Sequence, residues 1–77
     1  MDTITKVFCE VLAVDQSQVN DQTSYNSFPA WDSLKHLEII SRLEEEFGIE
    51  ITMDDITAME SLGKIKEIVQ KYLDAKK

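Results

Sequence analysis

Between residues 34 and 47 the apolar side chains recur at steps of three or four, which is the period of an amphipathic α-helix. The residues in this pattern are Leu34, Leu37, Ile40, Leu43 and Phe47. Boundary signals stand at both ends, because Asp32 is a typical N-cap and Gly48 is the usual residue just past a helix end. The pattern therefore predicts a central helix that starts beside Asp32, stops before Gly48 and buries this stripe.

Two further helices are predicted by the same period, one from Thr3 to Leu12 and one after a cap at Ser61. Their stripes are Ile4, Val7, Phe8, Val11 and Leu12 in the first, and Leu62, Ile65, Ile68, Val69, Tyr72 and Leu73 in the second. Thr52 can cap a short helix from Met53 to Ala58, and residues 49–51 form an extended connector. Such stripes can be buried together only in a bundle. The predicted fold is all-α, a small four-helix bundle with three major helices and one short helix.

A long polar loop joins the first two helices, since residues 13–30 show no sustained period. Loops of this length are uncommon unless they are functional or anchored. We expect one helical turn to start at Ser17, and four side chains to anchor the loop on the bundle: Val14, Val19, Tyr25 and Phe28. Residues 1–77 are expected to form a single domain.

Composition limits the classes of partner. Fifteen Asp and Glu against eight Lys and Arg give a formal net charge of −7, which disfavours nucleic acid and anionic membranes and favours basic protein surfaces. The alternative is that the acidic surface only keeps a small protein in solution. There is no membrane-length apolar run and no secretory signal pattern, so a cytoplasmic location is expected. Cys9 is the only cysteine and is expected to be a structural thiol.

Ser33 is the first candidate for chemistry, because its hydroxyl lies at or within the first turn of the central helix and can reach solvent. The positive pole of a helix favours a negative phosphate by roughly 0.3–1 kcal/mol. A serine at a helix start is, however, commonly a simple cap or surface residue. The residues alone leave both interpretations open.

Enzymatic and metal sites are not indicated. His36 lies one helical turn after Ser33, but no acid is placed to orient its ring and no oxyanion motif follows, so we expect a surface histidine and no catalytic residue. Asp54 and Asp55 lack the spacing and glycine of a calcium loop. They are expected to be an ordinary acidic first turn, and no metal site is predicted.

The segments Asp32-Ser33-Leu34, Leu37-Glu38 and residues 43–51 together resemble the central helix of acyl carrier proteins, and the similarity extends to both flanking helices. The resemblance implies a non-enzymatic carrier that holds acyl groups as thioesters on 4′-phosphopantetheine, with Ser33 as the attachment residue. Trp31 stands where many carriers have a small residue, and Lys35 and Arg42 make the helix less acidic than in fatty-acid carriers. These departures favour a specialised pathway, such as polyketide-like, aminoacyl or hydroxyacyl transfer, over bulk fatty-acid biosynthesis.

The resemblance also implies partners, namely a phosphopantetheinyl transferase and acyl-loading and acyl-using enzymes with basic docking surfaces. By position, the docking roles would fall on Asp32, Leu34, Leu37, Glu38, Glu44, Glu45 and Ile51. Alternatively, the leucines pack in the core and the glutamates pair with Arg42 or remain solvated.

Met53 and Met59 are expected to fill the core. We expect a monomer; the rival interpretation is a helical interaction module that binds a basic partner and carries no prosthetic group.

If docking is electrostatic, raising the salt concentration should weaken binding to a cognate enzyme, because salt screens exposed charges. Titration calorimetry at low and high salt measures the dissociation constant directly. An unchanged dissociation constant across this range would contradict electrostatic docking.

Overall fold

The computed structural model describes residues 3–76, except for the side chain of Lys76. Its helices are α1 (Thr3–Leu12), α2 (Ser33–Phe47), α3 (Met53–Ala58) and α4 (Leu62–Lys76), with a single 3-10 turn at Gln16–Gln18. The predicted all-α bundle of three long helices and one short helix is confirmed. Within residues 3–76, pairing of extended backbone is limited to an isolated bridge between Ser24 and Ser61. No helix in that range is long and apolar enough to cross a membrane.

The ends of α2 are fixed by the two predicted residues. Asp32 has extended backbone, and its carboxylate accepts a hydrogen bond from the Lys35 N–H at 2.9 Å. An N-cap of this kind contributes about 1 kcal/mol to helix stability. At the other end Gly48 adopts the left-handed conformation, with φ 62°, and its N–H donates to the carbonyl of Glu44. The cap therefore fixes where α2 begins, and with it the position of Ser33, the first residue of the helix.

One core joins all four helices, and α1 packs against both α2 and α4. The largest fully buried side chains are Phe8, Ile39, Leu43, Met59, Leu62, Ile65 and Val69. Trp31, just before α2, is also in the core, with 2% of its surface exposed. Trp31 therefore extends the core to the first turn of α2, although it lies outside the helix.

The predicted stripe of α2 is wrong at its N-terminal end. Leu34 and Leu37 are 78% and 55% exposed, whereas Ile40 and Leu43 are buried as predicted and Ile39 is buried in addition. The cause is His36, which turns inward to bond the buried Trp31. A face through positions 36, 40, 43 and 47 also has the helical period. It begins with a polar residue, which a count of apolar positions leaves out.

The long loop between α1 and α2 is anchored as predicted. Val14, Val19, Tyr25 and Phe28 are partly buried against the core. The loop is also joined by backbone hydrogen bonds to the connector before α4 and to the first turn of α4. These bonds are Tyr25 N–H to Glu60 O (2.8 Å), Leu62 N–H to Thr23 O (3.0 Å) and Gly63 N–H to Asp21 O (2.9 Å). Donors at the start of α4 thus find their acceptors in the loop.

Gly63 tests this attachment. A Cβ at position 63 would lie 2.9 Å from the Asp21 carbonyl oxygen, so Gly63→Ala must push the loop away from α4. Alanine favours a helix over glycine by about 1 kcal/mol. We nevertheless expect net destabilisation of roughly 1–2 kcal/mol, because overpacking against backbone costs more than this gain. Urea unfolding measures the change, with the exposed Glu67→Ala on α4 as the control; a stabilised Gly63→Ala would contradict the tight contact.

Candidate functional site

Ser33 is the first residue of α2, and its side chain is exposed. The two residues before it determine that placement. The backbone N–H of Trp31 donates a hydrogen bond to the Phe28 carbonyl at 3.0 Å, and the indole ring of Trp31 is buried. Asp32 then caps the helix. A buried side chain followed by a cap leaves the next side chain on the outer surface of the first turn. Structure and sequence therefore agree on the position of this hydroxyl, at the electropositive end of a long helix.

The indole of Trp31 is the packing centre beneath the start of α2. Its ring meets Phe8 edge to face, with centroids 4.9 Å apart and an interplanar angle of 89°. Tyr25 contacts the same indole at 5.7 Å and 83°. Each aromatic pair of this geometry contributes about 0.5–1.5 kcal/mol beyond the area that it buries. These contacts fix the loop and α1 against the segment that presents Ser33.

His36 is half-buried and structural, so the surface position expected from the sequence is wrong. Its Nδ1 accepts a hydrogen bond from Trp31 Nε1 at 3.1 Å, and its Nε2 lies 2.8 Å from the Ile56 carbonyl oxygen. Trp31 can only donate and the carbonyl can only accept, so the ring is the neutral tautomer with its proton on Nε2. Both nitrogens are engaged, which leaves neither to act as a base toward Ser33. Instead, His36 ties α2 to α3.

Tyr25 is the site residue that sequence reasoning missed in this role. Its hydroxyl oxygen lies 3.0 Å from Ser33 Oγ, and either oxygen can be the donor. The sequence predicts Tyr25 only as an apolar anchor of the loop. The two residues are eight positions apart across an irregular segment, so no periodicity relates them. The contact follows from the folded loop.

A cleft of about 380 Å³ opens beside Ser33 between α2 and α3. It is lined by Tyr25, Asn26, Ser33, His36, Leu37, Met53, Ile56, Thr57, Met59 and Glu60. The two methionines of the lining differ in burial. Met59 is in the core as expected, but Met53 is 69% exposed at the cleft. The expectation of core filling is therefore wrong for Met53, because it occupies the solvent side of the short α3. The lining is mostly apolar and the rim carries hydroxyl groups, which suits an elongated organic group.

The residues predicted for docking fall into two groups. Exposed on α2 or at its cap are Asp32, Leu34, Leu37, Glu38 and Glu45. The core alternative for the two leucines is thereby excluded. Ile51, in contrast, is only 7% exposed, and Glu44 is half-buried with its carboxylate accepting the Ile51 N–H at 2.8 Å. These two side chains hold the connector between α2 and α3.

The sequence left open whether the glutamates of α2 pair with Arg42 or remain solvated. Arg42 binds Glu10 of α1 at 2.8 Å rather than a glutamate of its own helix.

Cys9 is buried, as expected for a structural thiol. Burial raises the pKa of the Cys9 thiol, and the negative charge of Asp15 raises that pKa further. Among the residues that the structure describes, no cluster of His, Cys, Asp and Glu could hold a metal ion.

The first turn of α3 is fastened to α4 through Asp55. Its carboxylate accepts hydrogen bonds from the Tyr72 hydroxyl and from Lys71 at 3.3 Å, while Thr52 caps the helix. The hydrogen bond from Tyr72 lowers the pKa of Asp55, and the Lys71 charge lowers that pKa further, against an opposing effect of burial. Asp55 is thus a tertiary anchor for the wall of the cleft.

Comparison with known proteins supports the same interpretation. A family model described as the phosphopantetheine attachment site matches residues 2–71. The chain also resembles the solution NMR structure of a holo acyl carrier protein from Geobacter metallireducens, with 31% sequence identity and a TM-score of 0.84. That match covers 97% of this chain and 86% of the other.

The lowered pKa of Asp55 predicts an acid-sensitive contribution to stability. A carboxyl whose pKa is lower in the folded state stabilises the fold above its unfolded pKa, near 3.8, and this contribution is lost as the pH falls through the folded pKa. Asp55→Asn should therefore be less stable than the wild type at neutral pH, and the difference should shrink on acidification. Urea unfolding across the acid range measures it.

Asp54→Asn is the matched control, because Asp54 is an exposed acid in the same turn of α3. It should show a much smaller difference from the wild type at every pH. A difference between Asp55→Asn and the wild type that stays constant down to the lowest pH would contradict the proposed role of the Asp55 charge.

Proposed function

The chain belongs to the acyl carrier protein family, and on that premise we propose that Ser33 carries its 4′-phosphopantetheine. The observation behind the proposal is an exposed hydroxyl on the first residue of α2, at the rim of a cleft. The position offers solvent access for the modifying enzyme and a favourable helix pole for the phosphodiester. Asp32, Ser33 and Leu34 also match the family motif by residue.

When bound, the prosthetic group supplies a terminal thiol that holds acyl groups as thioesters. The residues of this chain supply the attachment oxygen, its position and an adjoining cleft. His36 is the nearest candidate base in sequence, but its ring nitrogens bond Trp31 and Ile56. We therefore assign deprotonation of the Ser33 hydroxyl to the phosphopantetheinyl transferase. The protein itself is a carrier and not an enzyme.

We further propose that exposed residues of α2 and its cap form the docking face for the transferase and for acyl-handling enzymes. Leu34 and Leu37 offer apolar contacts beside Ser33, and Asp32 and Glu38 add negative charge near them. Glu45 adds a further negative charge in the last turn of the helix. A partner with a basic rim around an apolar centre would complement this face. Ile51 and Glu44 would support it indirectly, because they hold the connector that follows α2.

The cargo is proposed at the level of pathway class only. Trp31 and the basic residues Lys35 and Arg42 favour a specialised biosynthetic pathway over bulk fatty-acid synthesis. Of the two basic residues, Arg42 is neutralised by Glu10, which leaves Lys35 as the departure closest to the docking face. We propose that residues 1–77 act as one monomeric carrier domain.

The attachment proposal is tested by incubating the protein with coenzyme A and a broad-specificity transferase, followed by intact-mass analysis. We expect a gain of one phosphopantetheinyl group in the wild type and none in Ser33→Ala. Ser41→Ala is the matched control, since Ser41 is an exposed serine of the same helix, and it should be modified like the wild type. No gain in the wild type would favour the helical interaction module that carries no prosthetic group.

The buried Cys9 predicts that the modified protein has two thiols of very different reactivity. Burial and a raised pKa both slow reaction at Cys9, because the thiolate is the nucleophile. A thiol-specific maleimide should therefore label the prosthetic-group thiol first and Cys9 only after denaturation. Time-resolved mass spectrometry with peptide mapping separates the two, and fast native labelling at Cys9 would contradict this burial.

A further inference from the structure

The Tyr25 hydroxyl is within hydrogen-bonding distance of the Ser33 hydroxyl, and the carrier function proposed for Ser33 gives Tyr25 no role. The two oxygens lie 3.0 Å apart. A tyrosine that served only to anchor the loop would need its ring and not its hydroxyl. The hydroxyl is therefore the feature that needs an explanation.

Tyr25 is held in place from two sides. Its backbone N–H donates to the Glu60 carbonyl at 2.8 Å, which fixes the main chain against the connector before α4. Its ring meets Trp31 edge to face at 5.7 Å and also contacts His36 at 5.9 Å. Trp31 is itself buried and bonded to His36. The phenol oxygen is consequently positioned by the fold before any group is attached at Ser33.

Modification of Ser33 changes what the Tyr25 hydroxyl faces. A serine hydroxyl can donate or accept, but an ester oxygen has no proton and the adjoining phosphodiester is anionic. The phenol must then be the donor, and hydrogen bonds to charged acceptors are shorter and stronger than neutral ones. Asp32 is also adjacent, but its carboxylate has the same sign of charge as the phosphodiester and already accepts the Lys35 N–H.

We propose that the Tyr25 hydroxyl donates a hydrogen bond to the phosphodiester at Ser33 and holds the start of the prosthetic arm beside the cleft between α2 and α3. Both residues line this cleft, together with His36, Leu37 and Ile56. Tyr25 is thus a positioning residue that favours an arm lying along the cleft over an arm extended into solvent. The inference rests on the proposed attachment at Ser33.

The test compares modified wild type with modified Tyr25→Phe by ³¹P NMR. Phenylalanine keeps the ring that packs on Trp31 and removes only the hydroxyl. Ser41→Ala is the control, because it removes an exposed hydroxyl of α2 that does not line the cleft. We expect Tyr25→Phe to shift the phosphodiester resonance and to narrow it, since the released arm moves faster, whereas Ser41→Ala should match the wild type.

A second measurement detects the position of the arm directly. With a ¹³C-labelled arm in the modified wild type, nuclear Overhauser contacts should join the arm to the ring of Tyr25 and to Leu37. These contacts should be lost or weakened in Tyr25→Phe. The inference is overturned if the ³¹P shift and line width are the same in wild type and Tyr25→Phe, or if the wild-type arm contacts neither side chain.

Failure of the attachment proposal would look different. In that case intact-mass analysis would show no modified wild-type protein, or would show modified Ser33→Ala. A wild type that is modified at Ser33 but whose phosphodiester is unaffected by Tyr25→Phe would leave the carrier function intact and remove only the role of Tyr25.

Discussion

The hydrogen bond from the buried Trp31 indole to His36 is the interaction on which the site depends. An indole N–H without a partner in the core would cost about 1–3 kcal/mol, so burying Trp31 requires an acceptor nearby. His36 supplies it at 3.1 Å, from the first turn of α2. The bond places position 36 on the inner side of α2, together with Ile40 and Leu43, and Leu34 and Leu37 lie in solvent beside Ser33. A half-buried polar contact thus belongs to the inner face of the helix at the end where two leucines are exposed.

The same histidine connects the start of α2, where attachment is proposed, to α3 at the wall of the cleft. A helix as short as α3 is not stable by itself, so tertiary contacts must hold it. His36 bonds the Ile56 carbonyl on one side, and Tyr72 and Lys71 bond Asp55 on the other. The cleft beside Ser33 therefore has one wall that belongs to the long α2 and one that is held by a few polar contacts.

Much of the fold was predictable from the sequence, because the signals are local. The bounds of α1 and α3 follow from apolar spacing and caps, and those of α2 follow from Asp32 and Gly48. The position of Ser33 follows from the same cap. The prediction was wrong at the N-terminal end of the α2 stripe, at Leu34 and Leu37, because polar His36 is part of the buried face there and apolar spacing does not detect it. The hydrogen bonds of Tyr25 with Ser33 and of Glu44 with Ile51 could not be predicted for another reason. They depend on how the loop and the connector fold back onto the bundle, which no local pattern in the sequence indicates.

The central claim is that a buried tryptophan and a capping aspartate present the Ser33 hydroxyl as the attachment point. Fragmentation mass spectrometry of the intact modified chain tests it most directly, because it locates the added group on the sequence. We expect every fragment that contains Ser33 to carry the phosphopantetheinyl mass and every fragment that lacks Ser33 to be unmodified. A phosphopantetheinyl group located on any other residue would contradict the claim.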